Sequence, residues 1–318
     1  MSGPGDAPLW PLDLVQRAAI AREAYRACRL CPRDCGVDRL AVETAGFCRL
    51  GAAVPCYKAL LSHGEEKPLL PTVLLDLGGC SLRCLGCTEW DHVVQPWRPP
   101  AVPLQPGWLA ERLAVWRSRG ARSLSLVGGE PSMHLLGLFE TLGAMPAALQ
   151  LPLVWNSNGL LAPQAFALLH DWVACWVIDH KVADSAGAKR LLGAGSLDYV
   201  AEVETTLDAI ASLPPFDARS GLPRLIVRHL LVPGELAPTT LPLLQRIATR
   251  WPTATVNLMT TWLPHGPALA AQAGPAALRR TNSEAERGAA IEAAAALLEG
   301  RLLVDGAPWP VDRPAIAR

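Results

Sequence analysis

From residue 72 onward, short apolar runs alternate with amphipathic stretches, the pattern of a parallel sheet whose strands are joined by crossover helices. Strands are expected at 72–77, 123–127, 153–155, 174–178, 225–232 and 255–258, and helices at 107–119, 163–170, 200–213 and 241–251. In the first of these helices Leu109, Leu113 and Trp116 share a face, and Gly120 stands where a C-terminal stop belongs. Gly78-Gly79 and Gly128-Gly129 close the first two strands. The count is about six βα units, so the expected fold class is α/β, a partial (β/α)6 barrel.

The ends read differently. Residues 1–70 form a cysteine-rich N-terminal region, opened by a helical stretch from Leu14 through Ala18, Ile20 and Ala21 to Tyr25. The barrel occupies 71–265, and 266–318 form a linker and a C-terminal helical cap. The linker is the Pro- and Ala-rich passage 264–277; beyond it Ser283 and Glu286 make a capping box that opens an Ala-rich helix running to about residue 298.

Charge removes several partners from the picture. The chain has 318 residues, with 29 Lys plus Arg against 29 Asp plus Glu, so no global field attracts nucleic acid or anionic lipid. No apolar run reaches the roughly 18 residues of a spanning helix, and residues 1–11 lack the blocks of a signal peptide. A cytoplasmic protein is expected, with no membrane or nucleic-acid partner. Of its nine cysteines, all but Cys175 fall between Cys28 and Cys87. A disulfide framework suits a short secreted chain, so metal or cluster ligation is the expectation here.

Cys80-Ser81-Leu82-Arg83-Cys84-Leu85-Gly86-Cys87 lies just past the first strand, where barrel active sites are assembled. Three thiolates at this spacing grip an iron–sulfur cubane and leave one iron open; structural zinc and ferredoxin centres call for a fourth ligand. The spacing resembles the signature of the radical S-adenosylmethionine (SAM) superfamily. That resemblance implies that Cys80, Cys84 and Cys87 hold a 4Fe-4S cluster whose open iron chelates SAM. Reductive cleavage would then give a 5'-deoxyadenosyl radical that abstracts hydrogen. Gly128-Gly129-Glu130-Pro131 is similar to the superfamily motif that meets the SAM amino group; glycines allow close backbone approach, and carbonyls accept from an ammonium.

Further segments are similar to pyruvate formate-lyase activating enzyme and to its relatives with a cysteine-rich N-terminus. They are Cys28 to Arg39, Gly46-Phe47-Cys48, His63-Gly64-Glu65-Glu66, Leu225 to Gly234 and Val256-Asn257-Leu258-Met259. The resemblance implies an activase-like oxidoreductase acting on a protein or peptide, with an electron donor such as flavodoxin or ferredoxin. It also implies that Asn156, Ser157, Asp179, Lys181 and Arg228 surround SAM. Read without it, Asp179 and Lys181 are a solvated pair at a strand end, and Arg228 is an outward charge. Two departures stand out. Gly86 occupies the place where many superfamily members carry an adenine-contacting aromatic, leaving Trp90 as a candidate, and Thr88 to His92 differ from the relatives.

Cys28, Cys31, Cys35 and Cys48 supply four further thiolates, suited to zinc or a second iron–sulfur cluster. Cys56 is a spare ligand and Cys175 a buried strand residue. His63 with Glu65 and Glu66 is either an acid/base group at the barrel mouth or structural. Two alternatives to the activase remain: a radical SAM maturase of a small molecule or cofactor, and a non-catalytic metal-binding regulator.

Overall fold

The computed structural model describes residues 9–309 apart from 12 and 271–273. The remainder of the expected front, linker and tail, at 1–8, 12, 271–273 and 310–318, lies outside the described residues.

Helix α1 (Leu14–Arg26) buries Leu14, Ala18, Ala21 and Tyr25 at helical spacing. Strand β1 (Pro55–Ser62) runs antiparallel to β2 (Thr72–Leu77), and α2 (Trp90–Val94), β3 (Val102–Pro103) and α3 (Pro106–Ser118) lead to β4 (Ser123–Gly128). The alternation then continues regularly. It comprises α4 (Leu135–Gly143), β5 (Leu153–Ser157), α5 (Pro163–Ala167), β6 (Cys175–Asp179), α6 (Ser185–Leu191), α7 (Tyr199–Ala211), β7 (Leu225–Leu230), α8 (Leu241–Arg250) and β8 (Thr255–Met259). The chain closes with α9 (Glu284–Leu297), β9 (Leu302–Val304) and β10 (Ala307–Pro308).

All ten strands join one mixed sheet in the order β10-β9-β8-β7-β6-β5-β4-β2-β1-β3. The sheet is open, with β10 and β3 at its edges. Its middle is the expected series β2, β4, β5, β6, β7 and β8, each parallel to its neighbour. Every residue of β2 is buried, as befits a parallel strand covered on both faces. The C-terminal ends of these strands therefore lie along one rim, and the register sets Asp179, Arg228 and Asn257 in a single row across β6, β7 and β8. No helix among the described residues is long and apolar enough to cross a membrane.

The appendages are more entangled with the sheet than the sequence suggests. β1 falls within the expected front yet pairs with β2, and β9 falls within the expected helical cap yet pairs parallel to β8. Exposed Lys58 and Leu60 obscure the alternation of β1, and β9 is too short to carry a period. The expected capping box is present: Glu286 N–H donates to Ser283 Oγ at 3.2 Å, and Ser283 N–H donates back to Glu286 at 2.8 Å.

The front loop folds around a buried guanidinium. Arg39 is 1 % exposed, lies over the Tyr25 ring at 4.1 Å, and donates to the carbonyls of Leu50 at 3.1 Å and Gly51 at 2.7 Å. Arg39→Met fills similar space but leaves two buried carbonyls unpaired. The expected cost is about 2–4 kcal/mol, read as a lower urea midpoint with unchanged slope.

Candidate functional site

At the rim, Cys80, Cys84 and Cys87 line a cavity of about 440 Å³ together with residues from β1, β2 and β4 to β8. Its wall includes Gly128, Gly129, Asn156, Ser157, Asp179, Lys181 and Arg228, so most of the sequence-predicted site residues converge on one space. Glu130 and Pro131 do not line it.

The tripod loop holds three free thiols. Burial pushes Cys80 and Cys84 up to about 12 and Cys87 up to about 11. Thiols so placed do not ionise at neutral pH on their own, whereas coordination to a cationic metal centre deprotonates a thiol outright. Donors already point at one sulfur: Leu82 N–H and Asn158 Nδ2 each lie 3.4 Å from Cys80 Sγ. Among the described residues, no group of three or more Cys, His, Asp or Glu side chains is arranged to hold a single metal ion.

Gly129 shows why the second motif needs glycine. A Cβ there would stand 2.0 Å from the Gly79 carbonyl oxygen, so the two rim loops touch through bare backbone. Glu130 is wholly buried behind this contact. It accepts from Ser132 N–H at 3.1 Å, Ser157 Oγ at 2.8 Å and Asn158 N–H at 2.8 Å. Burial raises its pKa while these donors hold it down. Within the motif expected at the cofactor, the Glu130 carboxylate is taken up by its own loop and by the end of β5, where it positions Ser157 and Asn158.

Lys181 and Asp179 pair at 2.5 Å at the cavity wall. Burial lowers the Lys181 pKa, but Asp179 outweighs it and the ammonium is held above its usual range. Arg228 departs from expectation in a different way. Its Nη2 lies 2.6 Å from Glu65 and 2.7 Å from Glu66, and its Nε donates to Glu66. Asn257 Nδ2 adds a bond to Glu66 at 2.8 Å. Burial pushes the Glu66 carboxyl up, yet the guanidinium prevails and holds it below its ordinary value. Arg228 thus reaches the cavity already paired with two carboxylates, and Glu66 is its anchor. His63 is exposed and outside the wall.

Two contributors escaped the sequence reading. Asn158, next to the nominated Ser157, bonds Cys80 Sγ and also Ser81 Oγ at 3.1 Å. Trp262, just past β8, lines the cavity with its Nε1 held by the Leu278 carbonyl at 3.0 Å, whereas Trp90 lies off the wall. Gly86 was the available signal. A Cβ on Gly86 would fall 1.9 Å from the Trp262 ring, so a distant tryptophan fills the space beside the third cysteine.

In the front region, burial raises Cys31 to about 12, with Cys28, Cys48 and Cys35 near enough to add to the rise. Their sulfurs make local contacts: Cys35 Sγ lies 3.9 Å from the Cys28 carbonyl and Cys48 Sγ 3.9 Å from that of Ala45. Cys56 is buried on β1 and accompanies neither group, and Cys175 is a buried strand residue as expected.

No protein-family model matches this chain. It is 28 % identical over 263 residues to an uncharacterized protein of Methanocaldococcus jannaschii, MJ0674, covering 80 % of this chain and 70 % of that one. Two structures of Streptococcus suis SuiB resemble it in fold at a TM-score of 0.46 and 12 % identity, one of them bound to S-adenosylmethionine. The superposition covers 71 % of this chain and 47 % of the SAM-bound SuiB chain, so this chain spans about half the length of SuiB.

Two expectations follow. Gly86→Phe overpacks against Trp262 and should cost about 1–3 kcal/mol, and the double variant Gly86→Phe/Trp262→Gly should recover most of it; equal melting of single and double variants counts against the packing account. Asp76, buried on β2, has its pKa raised by burial from 3.8 to about 6. A carboxyl whose folded pKa is raised binds its proton more tightly in the folded chain, so stability is full below the unfolded value and declines as pH rises towards about 6. Asp76→Asn should therefore raise the melting temperature by several degrees at pH 7.5 and give no advantage at pH 4, an effect of up to about 3 kcal/mol.

Proposed function

We propose that this chain is a radical SAM enzyme, with Cys80, Cys84 and Cys87 holding a 4Fe-4S cluster and SAM bound against Gly128, Gly129, Asn156, Ser157 and Asp179. The observation that carries the reading is the tripod itself: three free thiols, Cys80 buried and Cys84 and Cys87 half-buried, at the superfamily spacing on one cavity. The six parallel central strands would be the partial barrel of that fold.

When bound, cluster and SAM supply one-electron chemistry that ends in hydrogen abstraction from a substrate. The chain's own part is to hold, orient and exclude water. Asn158 and Leu82 N–H steady the Cys80 sulfur, and Lys181 places a cation near Cys84. Leu82, Val182, Leu230, Met259 and Trp262 give the cavity an apolar wall.

The finer reading is an activase-like enzyme acting on a protein or peptide, in the cytoplasm, reduced by a flavodoxin or ferredoxin; the segments shared with activating enzymes support it. The altered loop Thr88 to His92 favours the second reading, a maturase of a small molecule or cofactor. Gly86 and the same altered loop are the motive for the third reading, a non-catalytic regulator; the space beside Gly86 is filled by Trp262. Cys28, Cys31, Cys35 and Cys48 remain our candidates for zinc or a second cluster.

Anaerobic reconstitution should add roughly four iron and four sulfide at the tripod, and dithionite with SAM should release 5'-deoxyadenosine. Cys84→Ala should abolish that release while leaving metal at the front cysteines intact. Intact iron in the wild-type chain with no SAM cleavage would sink the proposal.

A further inference from the structure

We propose that the Asp76 side of the cavity is a subsite for a primary ammonium group of the substrate, with the free carboxylate oxygen Oδ2 of Asp76 as its acceptor. The inference rests on reading the cavity as the radical SAM site and names the substrate chemistry of that site.

Asp76 interrupts the apolar run of β2 and is 4 % exposed. It shares the cavity wall with Leu74, two residues earlier on the same strand face. Oδ1 lies 3.4 Å from Lys58 Nζ across the β1–β2 ladder, while Oδ2 is buried without a hydrogen-bond partner. A buried carboxylate oxygen with no donor is costly and rare in a folded chain. Burial also raises the Asp76 pKa, so the carboxylate is retained against stability. An apolar residue there would pack without that penalty.

The charges around it set the sign of the missing partner. Glu89 and Glu65 are the other acids near Asp76; Lys58 is shared with Glu89 at 3.8 Å, and Glu65 is bound to Arg228. On the cavity wall Glu65, Asp76, Glu89 and Asp179 thus meet Lys58, Lys181 and Arg228, and Arg228 is further engaged by Glu66 behind the wall. The carboxylates are in excess, so a cationic donor satisfies both the orphan oxygen and the charge, whereas a hydroxyl satisfies the first alone. Lys58 also borders a neighbouring hollow of about 420 Å³ lined by Tyr57, Leu104 and Trp108.

The test uses the full chain, anaerobically reconstituted, at pH 7.5, with ligand-observed NMR of n-butylamine and of the blocked tripeptide Gly-Lys-Gly. Controls are n-butanol and the norleucine tripeptide, and SAM affinity is measured in parallel by equilibrium dialysis. Both ammonium probes should bind at least tenfold more tightly than their controls, and the tighter of the two identifies a polypeptide or a free amine as the source. Asp76→Asn should weaken ammonium binding at least tenfold with SAM affinity within twofold. Lys58→Met, which removes the competing ammonium, should strengthen it at least threefold. Ammonium binding no better than the controls, or unmoved by both substitutions, overturns the subsite. SAM binding absent from the wild-type chain overturns the cofactor reading instead and is scored separately.

Discussion

The rim is held by one buried carboxylate. Glu130 carries no exposed surface, and its three donors come from its own loop and from the loop after β5. Asn158, fixed by this carboxylate through its backbone, sends its side chain to Cys80 Sγ on the loop after β2. Three βα loops are thereby linked in series by groups that have no water to turn to. A buried charge of this kind contributes little net stability when satisfied, but losing any one donor leaves it exposed to a penalty of several kcal/mol. That asymmetry makes the arrangement of the rim nearly all-or-none, which is what a site needing fixed sulfur positions requires.

A second clamp ties the cysteine-rich front to the tripod. Phe47 lies between two guanidinium groups, Arg33 at 3.5 Å and Arg83 at 4.2 Å from the ring centre. Arg33 donates to the Ser81 carbonyl at 2.6 Å, and Arg83 donates to Phe47 at 2.5 Å and to Cys80 at 2.9 Å. Burial lowers both arginine pKa values, and the neighbouring cysteines counter the fall. The front is therefore part of the site's support: Phe47, next to Cys48, packs on the two arginines that hold the Ser81 and Cys80 carbonyls.

What the sequence revealed follows from where periodicity survives. The six parallel strands are continuous apolar runs because both faces are buried, so their order and nearly their bounds were legible. β1 and β9 were not, the first because its outer residues are exposed and the second because three residues hold no pattern. The tripod was legible since its ligands are local in sequence. Trp262 was not, being 176 positions from Gly86, the glycine it packs on; only the missing side chain at Gly86 hinted that something else fills that space. For Glu130 the motif gave the position but not the direction of its carboxylate, which faces Ser132, Ser157 and Asn158.

The row across β6 to β8 shows how that distinction changes the chemistry. Taken singly, Arg228 is the obvious cation for an incoming carboxylate. Its two acidic partners make it electrically satisfied before any ligand arrives, so an anion there would have to compete with Glu65, the more exposed of the pair, rather than with water. Lys181 is similarly paired but with one carboxylate only, and its charge lowers the pKa of the Cys80 and Cys84 thiols against the rise from burial. The wall is thus zoned: one ammonium against one carboxylate at β6, a guanidinium held by two carboxylates at β7, and at β2 a carboxylate whose Lys58 partner is shared with Glu89.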